Sequence, residues 1–546
     1  MRRLALLVYL LLAVAIFSNT WVNPTWSWIG SPKDPQLFIW YLGWIPHELW
    51  LGQNPFFTDH LSYPPGVNLM WNTSMVFPAL VLWPVTAVFG PVVAYNVLIT
   101  AGLALSAWFG FIAAQRFIDR PILCFAAGLV YGFSPALLAQ AMGHPHVMVA
   151  LFPPIALILG HEILVRRRMH PVAAGALAGV AAAAQLLTGE ELLAMTLLIA
   201  AVGVAVLTLL HRHEVRGSLP YVATATGAAL GGFAVLAAYP LGFQFLGPQR
   251  VSGSLQPPDV YVSDLLAFAV PSNFIHFTGN TTENDAYVGL PLLVLFAFGL
   301  VIGWSRPAIR WLGLLTLLIA VLSLGPHLHV NGYVTPLPLP WAAVARLPLM
   351  ESALPSRLMA IAFLGIGIIA ASVYAAGTSR LQRVATGAAL VAGLAVVIVP
   401  SLPYTTQPAA APAFFRAGGG VERIAPGSVV LVTPFSSKES TDAMYWQATA
   451  NYRFRMPEGD AFTPGPYLGP HPSFMESTLD GLDAGQSVTV TPEVRTLFVA
   501  DLQAHGITAI VAGPSKGRAA IVDFLTQVEG SQPDDSGGVK VWWQLN

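Results

Sequence analysis

Cysteine is nearly missing from this 546-residue chain: Cys124 stands alone, inside an apolar run. One cysteine excludes an internal disulfide and any cysteine-built metal centre. Charge is scarce as well. Asp, Glu, Lys and Arg make up 10% of the residues, against about 25% in a soluble domain. A net charge of −1 gives no electrostatic footing for nucleic acid. Lysine occurs only at Lys33, Lys438, Lys516 and Lys540, so arginine dominates the basic residues, and with the abundant alanine this hints at a GC-rich bacterium. No repeat, heptad or low-complexity tract stands out. What remains is apolar: 55% of the chain is hydrophobic, the composition of a polytopic membrane protein.

A span needs about 20 apolar residues. The hydropathy pattern predicts about eleven helices, near 4–20, 92–115, 121–141, 147–165, 171–188, 192–210, 219–245, 288–304, 309–325, 356–376 and 384–400. The first follows Met1-Arg2-Arg3 and lacks a good cleavage site at Ser18-Asn19-Thr20-Trp21, so it is expected to stay on the protein. The run 75–89 is short and broken by Pro78 and Pro84, and is expected to lie on the outer surface.

Basic residues concentrate in cytoplasmic loops. With the N-terminus inside, the inner loops hold Arg2, Arg3, Arg116, Arg120, Arg166, Arg167, Arg168, Arg212, Arg216, Arg306, Arg310, Arg380 and Arg383. The outer loops before residue 401 hold only Lys33, Arg250, Arg346 and Arg357. Acids show the reverse bias. Asp34, Glu48, Asp59, Glu190, Glu191, Asp259, Asp264, Glu283, Asp285 and Glu351 fall outside; Asp119, Glu162 and Glu214 fall inside. Either the outer face carries function, or its loops are simply longer. The expected localisation is the plasma membrane, multi-pass, with a cytoplasmic N-terminus.

From residue 401 the chain turns polar. Runs 428–432, 487–490 and 507–511 read as strands, and 496–504 and 517–528 as helices, which together suggest a small α/β domain. The expected organisation is a transmembrane domain over 1–400, with its first outer loop at 21–91, and a soluble extracytoplasmic α/β domain over 401–546.

Candidate chemistry gathers on the outer side. Asp34 sits between Pro32 and Pro35, which stiffen its backbone. Trp26, Trp28, Phe38, Trp40, Tyr41 and Trp44 surround it in sequence, suited to a membrane interface or to stacking on sugar rings. Two roles fit Asp34: a general base, or the cap of a helix over 35–50. Glu190 and Glu191 stand between two apolar helices near the bilayer edge, as functional acids or as a solvated turn after Gly189. His144 and His146, like His327 and His329, form His-x-His pairs without a Cys or Asp nearby in sequence, so contact with phosphate or a sugar hydroxyl is expected rather than zinc; His60 beside Asp59 belongs with them. Arg346 and Arg357 are rare outer cations. A guanidinium binds phosphate bidentately, and Arg357 opens a helix whose positive end adds attraction; the alternative is anchoring to lipid headgroups. Asn72-Thr73-Ser74 and Asn280-Thr281-Thr282 match the glycosylation pattern, which a bacterial host would leave empty.

A first span, a long outer loop with an acid near its start and many further spans resemble the GT-C superfamily of integral-membrane glycosyltransferases. Asp34 holds the position of that superfamily's catalytic acid. Tyr63-Pro64-Pro65-Gly66, the 75–89 run and Phe133-Ser134-Pro135 are similar to its juxtamembrane elements. Glu283-Asn-Asp-Ala-Tyr287-Val-Gly289, Leu354-Pro355-Ser356-Arg357 and Met444-Tyr445-Trp446-Gln447 resemble the bacterial YfhO-like branch. The usual paired acids are replaced here by Lys33-Asp34-Pro35.

The resemblance implies a polyprenyl-phosphate sugar donor, a lipid-linked or cell-wall glycan acceptor and inverting transfer with Asp34 as base. With that donor, the residue chemistry above puts the expected phosphate contacts at Arg357, Arg346 and His60. Glu190, Glu191, His144, His146, Trp40 and Tyr287 are then expected at the substrate. No cofactor is required, because the sugar–phosphate bond is already activated; were a divalent cation used, Asp34, Glu190 and Glu191 are the acids to hold it. Competing readings are a transporter or flippase of a lipid-linked precursor, which would carry inverted repeats, and a non-catalytic envelope assembly protein.

Overall fold

Prolines punctuate the apolar runs, and the helices start on them. In the computed structural model Pro91, Pro121, Pro135, Pro171 and Pro307 each open a helix, the place where a missing N–H costs nothing. The structure describes residues 1–210, 218–253, 256–257, 259–277, 286–347, 350–399, 402–436, 440–466 and 468–543. Arg212, Glu214, Arg216, the Asn280 sequon, Glu283 and Asp285 lie outside them. The chain divides into two compact units.

The first unit comprises Met1–Val22, Asn96–Ala238 and Ser254–Thr406 and is helical. Among the described helices of the chain, Pro91–Ala114, Pro145–Arg166, Glu190–Thr208, Leu219–Leu246 and Pro355–Ala376 are long and apolar enough to cross a membrane. Pro121–Gly132, Pro171–Leu186, Leu290–Gly303 and Pro307–Ser323 are apolar but shorter. The segment expected as one span over 121–141 is two helices. Ser134 Oγ accepts the Leu137 N–H at 3.3 Å, capping a new helix that Pro135 opens.

The Met359–Ala376 helix is the core of this unit, buried from Met359 to Val373. Its glycines let neighbours close in: a Cβ on Gly367 would meet the Ala127 carbonyl at 2.8 Å. Gly175 and Gly179 do the same for Pro171–Leu186, where a Cβ would lie 2.0 Å from the carbonyl oxygens of Ala225 and Ala229. Small residues four apart are a common device for packing helices in lipid.

The second unit comprises Asn23–Tyr95, Tyr239–Gly253 and Gln407–Asn546. A cut near residue 400 therefore separates only part of it; residues 23–95 and 239–253 belong to the same unit. Its centre is a four-stranded sheet. Val429–Thr433 runs parallel to Ile507–Ala512, which pairs antiparallel with Val539–Trp542, then Asp534–Ser536. Phe474–Asp483, Pro492–Ala504 and Arg518–Glu529 pack on it through Leu479, Phe498, Phe524 and Leu525. The α/β character, the strands at 428–432 and 507–511 and the helices at 496–504 and 517–528 match the sequence expectation.

The expected strand at 487–490 is not one. Val488 and Val490 have the alternation of a strand but spend it packing against this core, with no ladder partner. The 75–89 run forms two short helices, Val76–Val81 and Trp83–Phe89, joined at Leu82 where Pro84 restarts the chain.

Candidate functional site

In the second unit, Asp34 is the first residue of the Asp34–Trp50 helix. The cap position is Lys33, so Asp34 stands one place inside it, where the positive helix end favours a carboxylate. Pro35 follows in the first turn. The preceding turn is closed by Trp28, whose indole N–H donates to the Ser31 carbonyl at 2.9 Å. The carboxylate of Asp34 lies within electrostatic reach of the wholly buried Tyr95 hydroxyl.

The rest of this helix is gripped by one segment some 400 residues downstream in sequence. Gln36 Nε2 donates to Asp442 Oδ1 at 2.6 Å, and Thr441 Oγ1 lies 2.7 Å from Gln36 Oε1 and 2.8 Å from the Lys33 carbonyl. Trp40 Nε1 donates to Gln447 Oε1 at 2.7 Å, and Gln447 Nε2 donates to the carbonyls of His60 and Phe454 at 2.9 and 2.8 Å. Tyr452 Oη donates to the Trp40 carbonyl at 2.8 Å. Trp40 is 0% exposed and stacked on Trp44 at 5.0 Å. Its ring offers no face to a sugar, which corrects the expected substrate contact: the indole packs the helix.

Further along, His60 Nδ1 lies 3.2 Å from Asp59 Oδ1, and Arg455 holds the other Asp59 oxygen at 2.8 Å. Burial lowers the His60 pKa; the Asp59 carboxylate opposes this, while Arg455 and His47 add to it. Neutral His60 can share a hydrogen bond with phosphate but adds no charge. Glu48 is 9% exposed, and burial, with the Asp59 charge adding, pushes its carboxyl up to about 7. Sequence reasoning counted Glu48 among the outer acids without giving it a role; the signal was an acid inside an otherwise apolar helix.

The first unit holds its own cluster. Arg357 is 7% exposed, and its Nη1 donates to Glu191 Oε2. The same Nη1 lies 3.4 Å from His146 Nε2. Glu191 Oε1 accepts the Leu354 N–H at 2.7 Å. Gly189 makes this possible: a Cβ there would stand 2.9 Å from His146 Cβ. His144 is beside His146, ring centroids 5.9 Å apart. Three residues singled out on separate loops thus meet, and His144 joins them. Glu190 opens the Glu190–Leu210 helix and is half-buried; Tyr287 is half-buried before Leu290–Gly303; Arg346 is exposed after Trp341–Val344.

His327 and His329 do meet an acid, contrary to their sequence surroundings. Asp259, 68 residues before His327, lies 3.0 Å from His327 Nδ1 and 3.6 Å from His329 Nε2. Even so, no group of three His, Cys, Asp or Glu side chains among the described residues is arranged to hold a metal ion. Glu191, one of the acids considered for a cation, is engaged by Arg357 and Leu354.

Compared with known structures, the chain is similar to the arabinofuranosyltransferase AftD from Mycobacteria, with a TM-score of 0.58 at 15% identity over 100% of this chain and 40% of that one. It thus spans about two fifths of the length of AftD. It is also similar to the archaeal oligosaccharyltransferase AglB from Archaeoglobus fulgidus, solved with an inhibitory peptide and a dolichol-phosphate, with a TM-score of 0.51 at 11% identity over 94% of this chain and 69% of that one. The fold is that of the GT-C glycosyltransferases. No curated protein matches the sequence. A family model described as a domain of unknown function, DUF6311, matches residues 6–399, so the chain belongs to the DUF6311 family, here carried on a GT-C fold.

Proposed function

We propose that the protein is a membrane glycosyltransferase that moves a sugar from a polyprenyl-phosphate donor to a lipid-linked or cell-wall glycan acceptor on the outer face of the membrane. One observation carries the reading: in a chain with a GT-C fold, the acid expected from the sequence, Asp34, stands at the positive end of a helix whose first turns are tied down on both sides. Asp34 takes the proton of the acceptor hydroxyl. That oxygen forms its bond to the anomeric carbon as the bond from this carbon to the phosphate oxygen breaks, and the lipid phosphate leaves with the electron pair. One displacement of this kind inverts the anomeric centre and needs no covalent intermediate.

The leaving group is an anion, and a placed cation stabilises it. Arg357 is assigned this role, with Arg346 and His60 as further phosphate partners. Glu190, Glu191, His144, His146 and Tyr287 are assigned to the substrate. The AglB structure supports a lipid-phosphate donor by analogy, since it holds a dolichol-phosphate.

The test is sugar transfer by the purified protein in lipid nanodiscs, with polyprenyl-phosphate-linked mannose and arabinofuranose as donors and an envelope glycolipid fraction as acceptor. Asp34→Asn is expected to lower transfer by about 10²–10⁴-fold, the usual range for a lost general base, while the variant elutes as wild type does. Full transfer by folded Asp34→Asn removes Asp34 from the chemistry. No transfer by wild type from either donor overturns the donor class.

A further inference from the structure

The helix Asp442–Thr449 belongs to the polar tail of the chain, yet the polar groups where it and its cap Thr441 meet the Asp34–Trp50 helix are mostly turned away from solvent. Gln36 is 4% exposed, Thr441 1% and Gln447 0%. A buried amide is costly unless every group finds a partner, and both amides do. Gln36 gives its N–H to Asp442 and meets Thr441 with its oxygen. Gln447 takes the Trp40 indole N–H and gives its own protons to two carbonyls. Asp442 is itself held by Ser440, whose Oγ lies 3.3 Å from Asp442 Oδ2. The anchored points are the carbonyl just before Asp34 and the side chain two residues after it. Such a bracket fixes the backbone torsions of Asp34 and so the direction in which its carboxylate leaves the chain.

We propose that Thr441 and Asp442 are positioning residues for the Asp34 base, so that the C-terminal part of the second unit sets the catalytic geometry in the first outer loop. This rests on the reading of Asp34 as base. Neither residue reaches the acceptor; they act through Lys33 and Gln36. A displacement of about 1 Å at a reacting group can cost about 100-fold in rate, so a hydroxyl that donates its one proton between the Lys33 carbonyl and Gln36 Oε1 has a large effect for its size. Thr441→Val keeps the shape and removes the hydroxyl; Thr441→Ser restores it. Asp442→Ala removes the acceptor of the Gln36 amide; Asp442→Asn restores an acceptor of the same size.

The experiment uses the full-length protein in nanodiscs and the transfer assay above, with hydrogen–deuterium exchange on the same samples. Thr441→Val and Asp442→Ala are expected to lower kcat by about 100-fold, with KM for the polyprenyl-phosphate donor within about twofold of wild type. Exchange should rise in residues 33–40 and stay unchanged in the sheet strands Val429–Thr433 and Ile507–Ala512. Thr441→Ser and Asp442→Asn should recover most of the rate. Wild-type kcat in folded Thr441→Val and Asp442→Ala overturns the positioning role while leaving the base assignment standing, provided Asp34→Asn is inactive. Loss of rate with raised exchange throughout the sheet overturns it too, since that is general unfolding. An active Asp34→Asn removes the reading beneath it.

Discussion

At the scale of single residues, the Arg357–Glu191 pair decides how a buried charge is tolerated in the first unit. Arg357 is 7% exposed and Glu191 also accepts a backbone N–H from Leu354. Removing one member of a buried pair strands the other, at about 3–5 kcal/mol, whereas replacing both with apolar residues is often neutral. Arg357→Met alone is therefore expected to lower the unfolding temperature markedly, and Arg357→Met with Glu191→Leu to recover most of it. The double variant then isolates function: folded, it should use the lipid-phosphate donor poorly. Thermal unfolding and donor titration on the same nanodisc samples check both parts. Equal unfolding temperatures for the single and double variants would sink the stability argument, and wild-type donor affinity in the double variant the phosphate role. Trp40 teaches a different lesson at this scale. Aromatics near a membrane surface read alike in sequence whether they face a ligand or a neighbour, and only its 0% exposure and its bond to Gln447 separate the two.

Among the elements, close helix packing rests on a few positions without a side chain. Gly179 faces the Ala229 carbonyl, where an added Cβ would stand at 2.0 Å from a backbone oxygen that cannot rotate away. Gly179→Ala is expected to cost at least about 1–3 kcal/mol as overpacking. Gly227→Ala, on the neighbouring Leu219–Leu246 helix with nothing within 4 Å of a Cβ, should be neutral or slightly stabilising. Comparable losses in both would refute the packing account. The elements themselves were largely readable. Apolar length located the helices, and the short apolar runs at 428–432 and 507–511 located the two strands that pair in parallel. What could not be read is the pairing of Asp34–Trp50 with Asp442–Thr449. It is made of buried amides and hydroxyls 405 to 407 residues apart, and such bonds leave no periodicity in a sequence. The break at Ser134-Pro135 was visible as a Pro signal but outweighed by continuous hydropathy. The alternation of Val488 and Val490 misled because a loop can bury every second residue as a strand does.

For the whole molecule, the basic-residue pattern predicts an inner N-terminus and an outer C-terminal region. Because Cys124 is the single cysteine and is buried, the test is direct. On a Cys124→Ala background, Ser487→Cys in the second unit should react with a membrane-impermeant maleimide on intact cells, and Arg168→Cys only after lysis. Both side chains are exposed. The opposite labelling would invert the topology and put Asp34 on the wrong side for an outer-leaflet donor.

The clamp on the Asp34–Trp50 helix also orders events during synthesis. Ribosomes add about 5–20 residues per second. Residues 34–50 therefore leave the ribosome roughly 20–80 s before Thr441 and Asp442 exist to bind them. Throughout that interval the Asp34–Trp50 helix waits with Gln36 and the Trp40 indole lacking their final partners, while the intervening helices are made. A chain that stops short of residue 441 would carry every expected span and still lack the groups that complete this helix. On the proposed positioning role of Thr441 and Asp442, truncated products are predicted to accumulate in the membrane without transferring sugar.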